Sequence, residues 1–537
     1  MQSDQPENCK QQPIRPILFA SGLLVLAVSA YCALILGLNS GYLVFTLDDA
    51  YIHLALAENI MQGHYGINLN EYSAPASSII WPFLIAPFSG LAVASYIILI
   101  ANTVFSLLTL LLFWLTLSPA DTPLEGVAEQ QTLLNVMLIL LIPACNLIGL
   151  IFTGMEHSLQ VMLAVAIICG LNRESLTARL DWWTLSAIIL SPLVRYECLA
   201  ISLPAAGYLI FRGHRKAGVL AVGVMMMILA GFSLFLVSIG QNPLPNSVTA
   251  KSQIVYEQNA SSVFVNFVSG IEKSRGVLLA ICLLFMLSQV ISREIPESKR
   301  LLCATVSVSI VLHLLFGQFG WFCRYEIYIW ASVLAVIGFM LKPFIYRNSA
   351  SYGVLEKTLL MFAALFLLCF PYLLVLANIP VGANNIYEQQ YQMHRFATEF
   401  YKKPVAANDI GFLSYRNPSY ILDLWGLASN EALSSRHQAK HEHWMEGLVQ
   451  SKNIGLAMIY DDWFPEIPDN WHKAGVLTLG KTRITPAMDR VAFYVIKIES
   501  SQEIHDLLKK FTLTLPAGVE FVFADNADLE SRNGATR

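Results

Sequence analysis

Two adjacent carboxylates, Asp48 and Asp49, follow the first long apolar run of this 537-residue chain. Neighbouring acids repel, so at least one should hold its proton above the ordinary carboxylate range unless a cation intervenes. A pair of this kind suits a general base that takes a proton from a hydroxyl. The plain alternative is that Asp48 only caps a helix running from about Asp49 to Gln62, with Gly63 as its stop. Capping needs one carboxylate, not two. Further polar residues recur at the edges of apolar runs: Glu156-His157, Arg195-Tyr196-Glu197, Asn246 with Lys251, and Arg324-Tyr325. Ionisable groups in such sequence are expensive and mark a pathway or a site. Their bland readings are a private ion pair for Arg195 and Glu197, a snorkelling end residue for Arg324, and a solvated loop residue for Lys251. Together they suggest one chemistry. Cations hold a phosphate, a carboxylate deprotonates a hydroxyl, and a phosphate stabilised by cations leaves more readily. The sequence contains no P-loop, HExxH or GxSxG motif.

The elements that must position these residues are membrane spans. The chain is 55% hydrophobic and 13% charged, where a soluble protein carries about 25% charged residues. This excludes an ordinary soluble enzyme, and the formal charge of −4 implies no nucleic-acid partner. Apolar runs predict about eleven spans, at about 16–38, 92–117, 133–152, 156–171, 183–194, 197–211, 218–239, 277–291, 301–317, 326–341 and 358–378. The first reads as an uncleaved anchor, and Ile79–Pro87 as a juxtamembrane or re-entrant piece. With the N-terminus cytoplasmic, the loops on that side carry thirteen Lys/Arg and the opposite loops five. The loop 39–91 then lies outside, with the helix side Ile52, Leu54, Leu56 and Ile60 on the membrane interface. The nine cysteines show no metal spacing and read as small buried hydrophobes.

Residues 380–537 differ from the rest, with sixteen Lys/Arg and nineteen Asp/Glu. They read as an extracytoplasmic α/β domain, and residues 1–379 as the transmembrane domain. Helices are expected at 387–401 and 437–450, and strands at 405–407, 420–422, 454–460 and 491–498. The tail after Pro516 gives no pattern. Trp425, Tyr460, Asp461, Asp462, Trp463 and Trp471 could bind sugar or could be ordinary core and surface.

Asp48-Asp49-Ala50-Tyr51-Ile52 with Asn59, Gly63-His64-Tyr65-Gly66 and Asn68 resembles the first outer loop of GT-C superfamily glycosyltransferases, most of all the AftB-like arabinofuranosyltransferase branch of mycobacteria. Gly154-Met155-Glu156, Arg195-Tyr196-Glu197, Pro245-Asn246 with Ala250-Lys251, Arg324-Tyr325, Asn408-Asp409 with Gly411, and Asp423-Leu424-Trp425-Gly426-Leu427 are similar to later motifs of that branch, in the same order. The resemblance implies a GT-C-like α-helical polytopic fold with a C-terminal α/β domain, and transfer of a sugar from a polyprenyl-phosphate carrier to a glycan or lipid acceptor. It places the catalytic carboxylate at Asp48 or Asp49. The expected substrate-binding residues are His53, Asn59, Glu156, His157, Arg195, Glu197, Asn246, Lys251, Arg324, Tyr325, Asp409 and Asp423. The family often has arginines where this chain has Ala55 and Glu58, so the identity of the sugar does not carry over.

The expected function is therefore inverting sugar transfer on the outer face of a bacterial inner membrane. Lys251, Arg324 and Arg195 would hold the departing phosphate. Glu156 and His157 would position the acceptor or a divalent cation, and no other cofactor is implied. Two other readings stay open, a lipid-linked sugar transporter or flippase and a non-catalytic glycan-binding assembly protein. A transporter should show inverted repeats and mid-membrane charges; no repeat is evident.

Overall fold

The computed structural model describes residues 14–119, 127–251, 260–346, 353–438 and 444–524. Among the described residues, eight helices are long and apolar enough to cross a membrane: Arg15–Leu38, Ala94–Leu117, His157–Thr177, Arg215–Ser238, Ser274–Ile291, Glu297–Phe316, Ile327–Tyr346 and a last one from Leu368 into the turns ending at Tyr401. The other three expected spans are shorter apolar helices, Ala128–Ala144, Trp182–Val194 and Tyr196–Phe211. The run at 133–152 breaks because Pro143 and the left-handed Asn146 interrupt it, and a separate helix, Leu147–Phe152, follows. Arg195 takes an extended conformation and splits the next pair. A 13-residue helix is about 20 Å long, shorter than a hydrocarbon core of about 30 Å. The end of Trp182–Val194 is covered by the first loop, where the backbone N–H groups of Ile79 and Ile80 donate to the Leu193 carbonyl.

The helix expected after Asp48 spans Asp49–Met61 and stops before Gly63, whose φ of +77° suits glycine. Its apolar side does not lie on a membrane surface. Ile52, Leu54 and Leu56 are buried in the protein, against the bundle and the C-terminal domain. Ile79–Pro87 contributes a short helix, Trp81–Ser89, rather than a crossing.

The C-terminal part holds a six-stranded mixed sheet of β1 (Val405–Ala407), β2 (Ile421–Asp423), β3 (Leu456–Ile459), β4 (His472–Thr478), β5 (Arg490–Val495) and β6 (Glu520–Phe523), in the order β2-β1-β3-β5-β4-β6. β1 runs parallel to β2 and β3, and the remaining pairs are antiparallel. Four elements depart from expectation. The Val354–Glu388 helix carries the chain out of the bundle, and Gln390–Arg395 and a π turn, Phe396–Tyr401, continue it. β4 and the Ser501–Thr512 helix were hidden by their half-exposed, polar sequence. β6 lies in the stretch after Pro516 that shows no pattern on its own; it pairs on β4 across a long separation.

Candidate functional site

The site grows from the joint between the first loop and the C-terminal domain. Asp48 lies at the N-cap position of the loop helix, yet its side chain does not cap that helix. Instead Oδ2 accepts the Gly411 N–H and Oδ1 the Phe412 N–H, both at 2.8 Å. Glycine is required here, since a Cβ at Gly411 would stand 2.0 Å from the Asp48 carbonyl oxygen. Burial, then the nearby Asp409 and Asp49 carboxylates, push the Asp48 carboxyl well above the usual range, against the two N–H bonds that favour its charge. Asp409 in turn accepts the Tyr460 hydroxyl at 2.6 Å and the Gln390 amide at 2.9 Å.

Asp49 points elsewhere. Its Oδ2 accepts Arg324 Nη2 at 2.6 Å. Arg324 is 1% exposed, donates to the Tyr325 hydroxyl at 3.1 Å and lies over the Tyr325 ring at 5.0 Å. The backbone that delivers it is unusual, with Trp321, Phe322 and Cys323 all at positive φ before Arg324.

A second cluster adjoins this one through Tyr325, whose ring also lies 5.7 Å from the Arg195 guanidinium. Arg195 donates to Glu156 at 2.8 Å, to Ser77 at 3.1 Å, and through two nitrogens to both oxygens of Glu197, at 2.7 and 3.2 Å. Glu156 is fully buried and also lies 3.5 Å from His53 Nε2. The extended turn at Arg195 exists to aim this guanidinium between two carboxylates and the first loop. So Arg195 and Glu197 are paired, as the plain reading had it, but Glu156, His53 and Ser77 join them.

Beside Arg195 opens a cavity of about 390 Å³. Its lining combines the apolar side chains of Leu199, Leu203, Leu312 and Phe316 with the polar ones of Arg195, Glu197, Ser247, His313 and Tyr325. His313 is 1% exposed; its Nδ1 meets the Tyr328 hydroxyl at 3.0 Å, while Nε2 has no hydrogen-bond partner. The Ser247 and Tyr196 hydroxyls are likewise buried without partners. Buried polar atoms left unpaired are rare and call for an explanation; here all three line one cavity.

The remaining expected residues fall around these two clusters. His157 is buried at the start of its helix. Asn59 closes its own loop by donating to the Gly66 carbonyl at 2.7 Å. Asn246 donates to Asn430 at 2.7 Å and so ties the bundle to the C-terminal domain. Lys251 ends the short helix Asn246–Lys251; its side chain lies outside the described residues. Asp423 accepts the N–H groups of Trp425, Gly426 and Ala428 and holds its own turn. Tyr196 lies inside the Arg195-Tyr196-Glu197 motif without having been expected at the site, and His313 and Tyr328 lie in none of the motifs. His313 had a signal, a lone histidine inside an apolar span. Among the described residues no group of three or more His, Cys, Asp or Glu could hold a metal ion.

Asp423 carries a pH prediction. Burial raises its pKa to about 6. The folded state therefore binds more protons than the unfolded one between about pH 4 and 6, and stability falls as pH rises through that window. The loss amounts to about 3 kcal/mol above pH 6. Asp423→Asn should flatten this part of the slope between pH 4 and pH 7, read as melting temperature against pH. An unchanged slope would show that the carboxyl titrates normally.

The comparisons with known proteins are sparse. A family model described as a domain of unknown function (DUF8728) matches residues 384–494. No curated protein matches the sequence. Among solved structures, the chain is similar to the apo oligosaccharyltransferase of Archaeoglobus fulgidus, with 11% identity and a TM-score of 0.44 over 87% of this chain and 75% of that one. It is also similar to the archaeal oligosaccharyltransferase AglB from Archaeoglobus fulgidus in complex with an inhibitory peptide and a dolichol-phosphate, with 11% identity and a TM-score of 0.42 over 93% and 75%. Likeness this low carries no argument about the site.

Proposed function

We propose that this chain is a membrane glycosyltransferase of GT-C type that moves a sugar from a polyprenyl-phosphate carrier to a hydroxyl acceptor. The observation that carries the reading is the Asp49–Arg324–Tyr325 chain, which runs from a loop carboxylate to the lining of a largely apolar cavity. A carboxylate, a cation and an apolar slot are the three things such a donor needs. The motif resemblance supports the same reading and sets the loop and the C-terminal domain on the extracytoplasmic side.

Asp49 is the base in this reading, because both oxygens of Asp48 are engaged by the C-terminal domain. Arg324 holds Asp49 until a phosphate offers the guanidinium a second anionic partner, which frees the carboxylate. The acceptor O–H gives its proton to Asp49. The oxygen then bonds to the anomeric carbon as the bond from that carbon to the phosphate oxygen breaks. The bonding pair leaves on polyprenyl phosphate, held by Arg324 with help from Lys251. One displacement inverts the anomeric centre. The polyprenyl chain lies along the Leu199, Leu203, Leu312 and Phe316 wall, and the unpartnered His313, Tyr196 and Ser247 groups face its phosphate end. Arg195, spent on Glu156 and Glu197, positions the loop and does not carry the phosphate.

The test is reconstitution in proteoliposomes with a panel of polyprenyl-phosphate sugars and hydroxyl acceptors. The reading expects a new glycosidic bond of inverted configuration, assigned by NMR. A donor carried intact across the bilayer without bond formation contradicts it and favours a transporter.

A further inference from the structure

A second cavity, of about 480 Å³, lies between the C-terminal half of the loop helix, the turn that follows it and residues 414–420 of the C-terminal domain. Nothing in the reaction above uses it. It begins beside Ala55, six residues beyond Asp49 on the same helix, which is about 9 Å along the axis. It reaches Gln62, about 20 Å from Asp49 by the same rise. Across from the helix stands Ser414, the last residue of the short helix whose first N–H groups are held by Asp48.

Its charge is balanced. Glu58 and Arg416 face each other at 3.4 Å, and Arg416 also donates to the Ser89 and Leu91 carbonyls. A cation already given to a carboxylate and two carbonyls has little left for a phosphate. What the groove offers instead is neutral polar capacity. Gln62 and Asn70 are exposed amides with no intramolecular hydrogen bond among the described residues. The Ser414 hydroxyl lines the groove, is buried and has no partner. Between these groups sit Leu69, Pro418 and the Tyr420 ring, which its hydroxyl bond to Glu71 fixes in place. Hydroxyl edges for amides and C–H faces for apolar surface are the two features of a sugar chain, whereas an alkyl chain would leave the amides and Ser414 unpaired.

We infer that this groove binds the acceptor as a neutral oligosaccharide. The inference rests on the transferase reading for the word acceptor, but not for the binding of sugar. The chain therefore combines two subsites, a largely apolar cavity for the donor and a neutral polar groove along the loop helix for the glycan.

The experiment measures binding without donor, using the full chain in detergent and fluorescently labelled neutral pentose and hexose oligosaccharides. Wild type should bind at least one series, and Gln62→Trp and Asn70→Trp should each weaken that binding at least tenfold. Both residues are exposed, and melting temperatures equal to wild type confirm intact folding. In turnover, the same variants should raise KM for the oligosaccharide rather than lower kcat. Three outcomes overturn the inference: no oligosaccharide bound by wild type, equal binding by both variants, or displacement of the oligosaccharide by undecaprenyl phosphate. Binding that behaves as expected, with no turnover from any polyprenyl donor, supports the groove while removing the transferase reading.

Discussion

Asp49→Asn should lower transfer by about 10²–10⁴-fold, the usual worth of a positioned general base. The variant keeps a side chain that can accept from Arg324, whose pairing with Asp49 is short and buried on the arginine side, so the fold should persist. The loss should fall on kcat with little change in KM, because the proton is taken only as the new bond forms. Asp48→Asn should behave differently. One of its two N–H acceptors becomes an amide facing a donor, which costs about 1–3 kcal/mol of stability. Kinetics and melting curves on the two variants separate the roles. Equal loss of kcat in both, with equal stability, would contradict the assignment of Asp49 as the base.

Arg195→Met should be the most destabilising single change in the bundle. It leaves Glu156, which is fully buried, with only His53 and the Ser77 hydroxyl beside it, and removes both bonds to Glu197. Breaking a buried pair from one side costs about 3–5 kcal/mol, because the remaining charge loses its counter-ion. Adding Glu156→Gln in the same chain removes that charge and should recover much of the loss. Thermal unfolding in detergent checks both. A single variant as stable as wild type, or a double variant no better than the single, would mean that Arg195 does not hold these carboxylates.

Much of this arrangement was legible in the sequence because its cause is local. The loop helix begins at Asp49 and stops before Gly63, as acidic start and glycine stop require. Eight of the long apolar runs became helices of spanning length because few charges interrupt them. Where the reading of 183–211 was least regular, the structure places two short helices around an extended Arg195. Other features depend on distant partners and leave no local trace. The Asp48 carboxylate caps a helix 363 residues away, so its position at the head of its own helix suggests a partner it does not have. The loop helix's apolar face looks fit for a lipid interface by periodicity alone, yet Ile52, Leu54 and Leu56 are buried within the protein. β6 is short and half exposed, and it forms only because β4 offers an edge. The groove beside Gln62 is assembled from residues 55–70 and 414–420, which no spacing rule connects.

The central claim is that Asp49 drives release of a polyprenyl phosphate. Its most direct measurement is the appearance of free polyprenyl phosphate from sugar-loaded carrier in nanodiscs, for wild type and Asp49→Asn side by side with an acceptor present. The prediction is release by wild type with at least one donor and a fall of at least a hundredfold in the variant. Release that continues undiminished in Asp49→Asn, or no release by wild type from any donor, would contradict it.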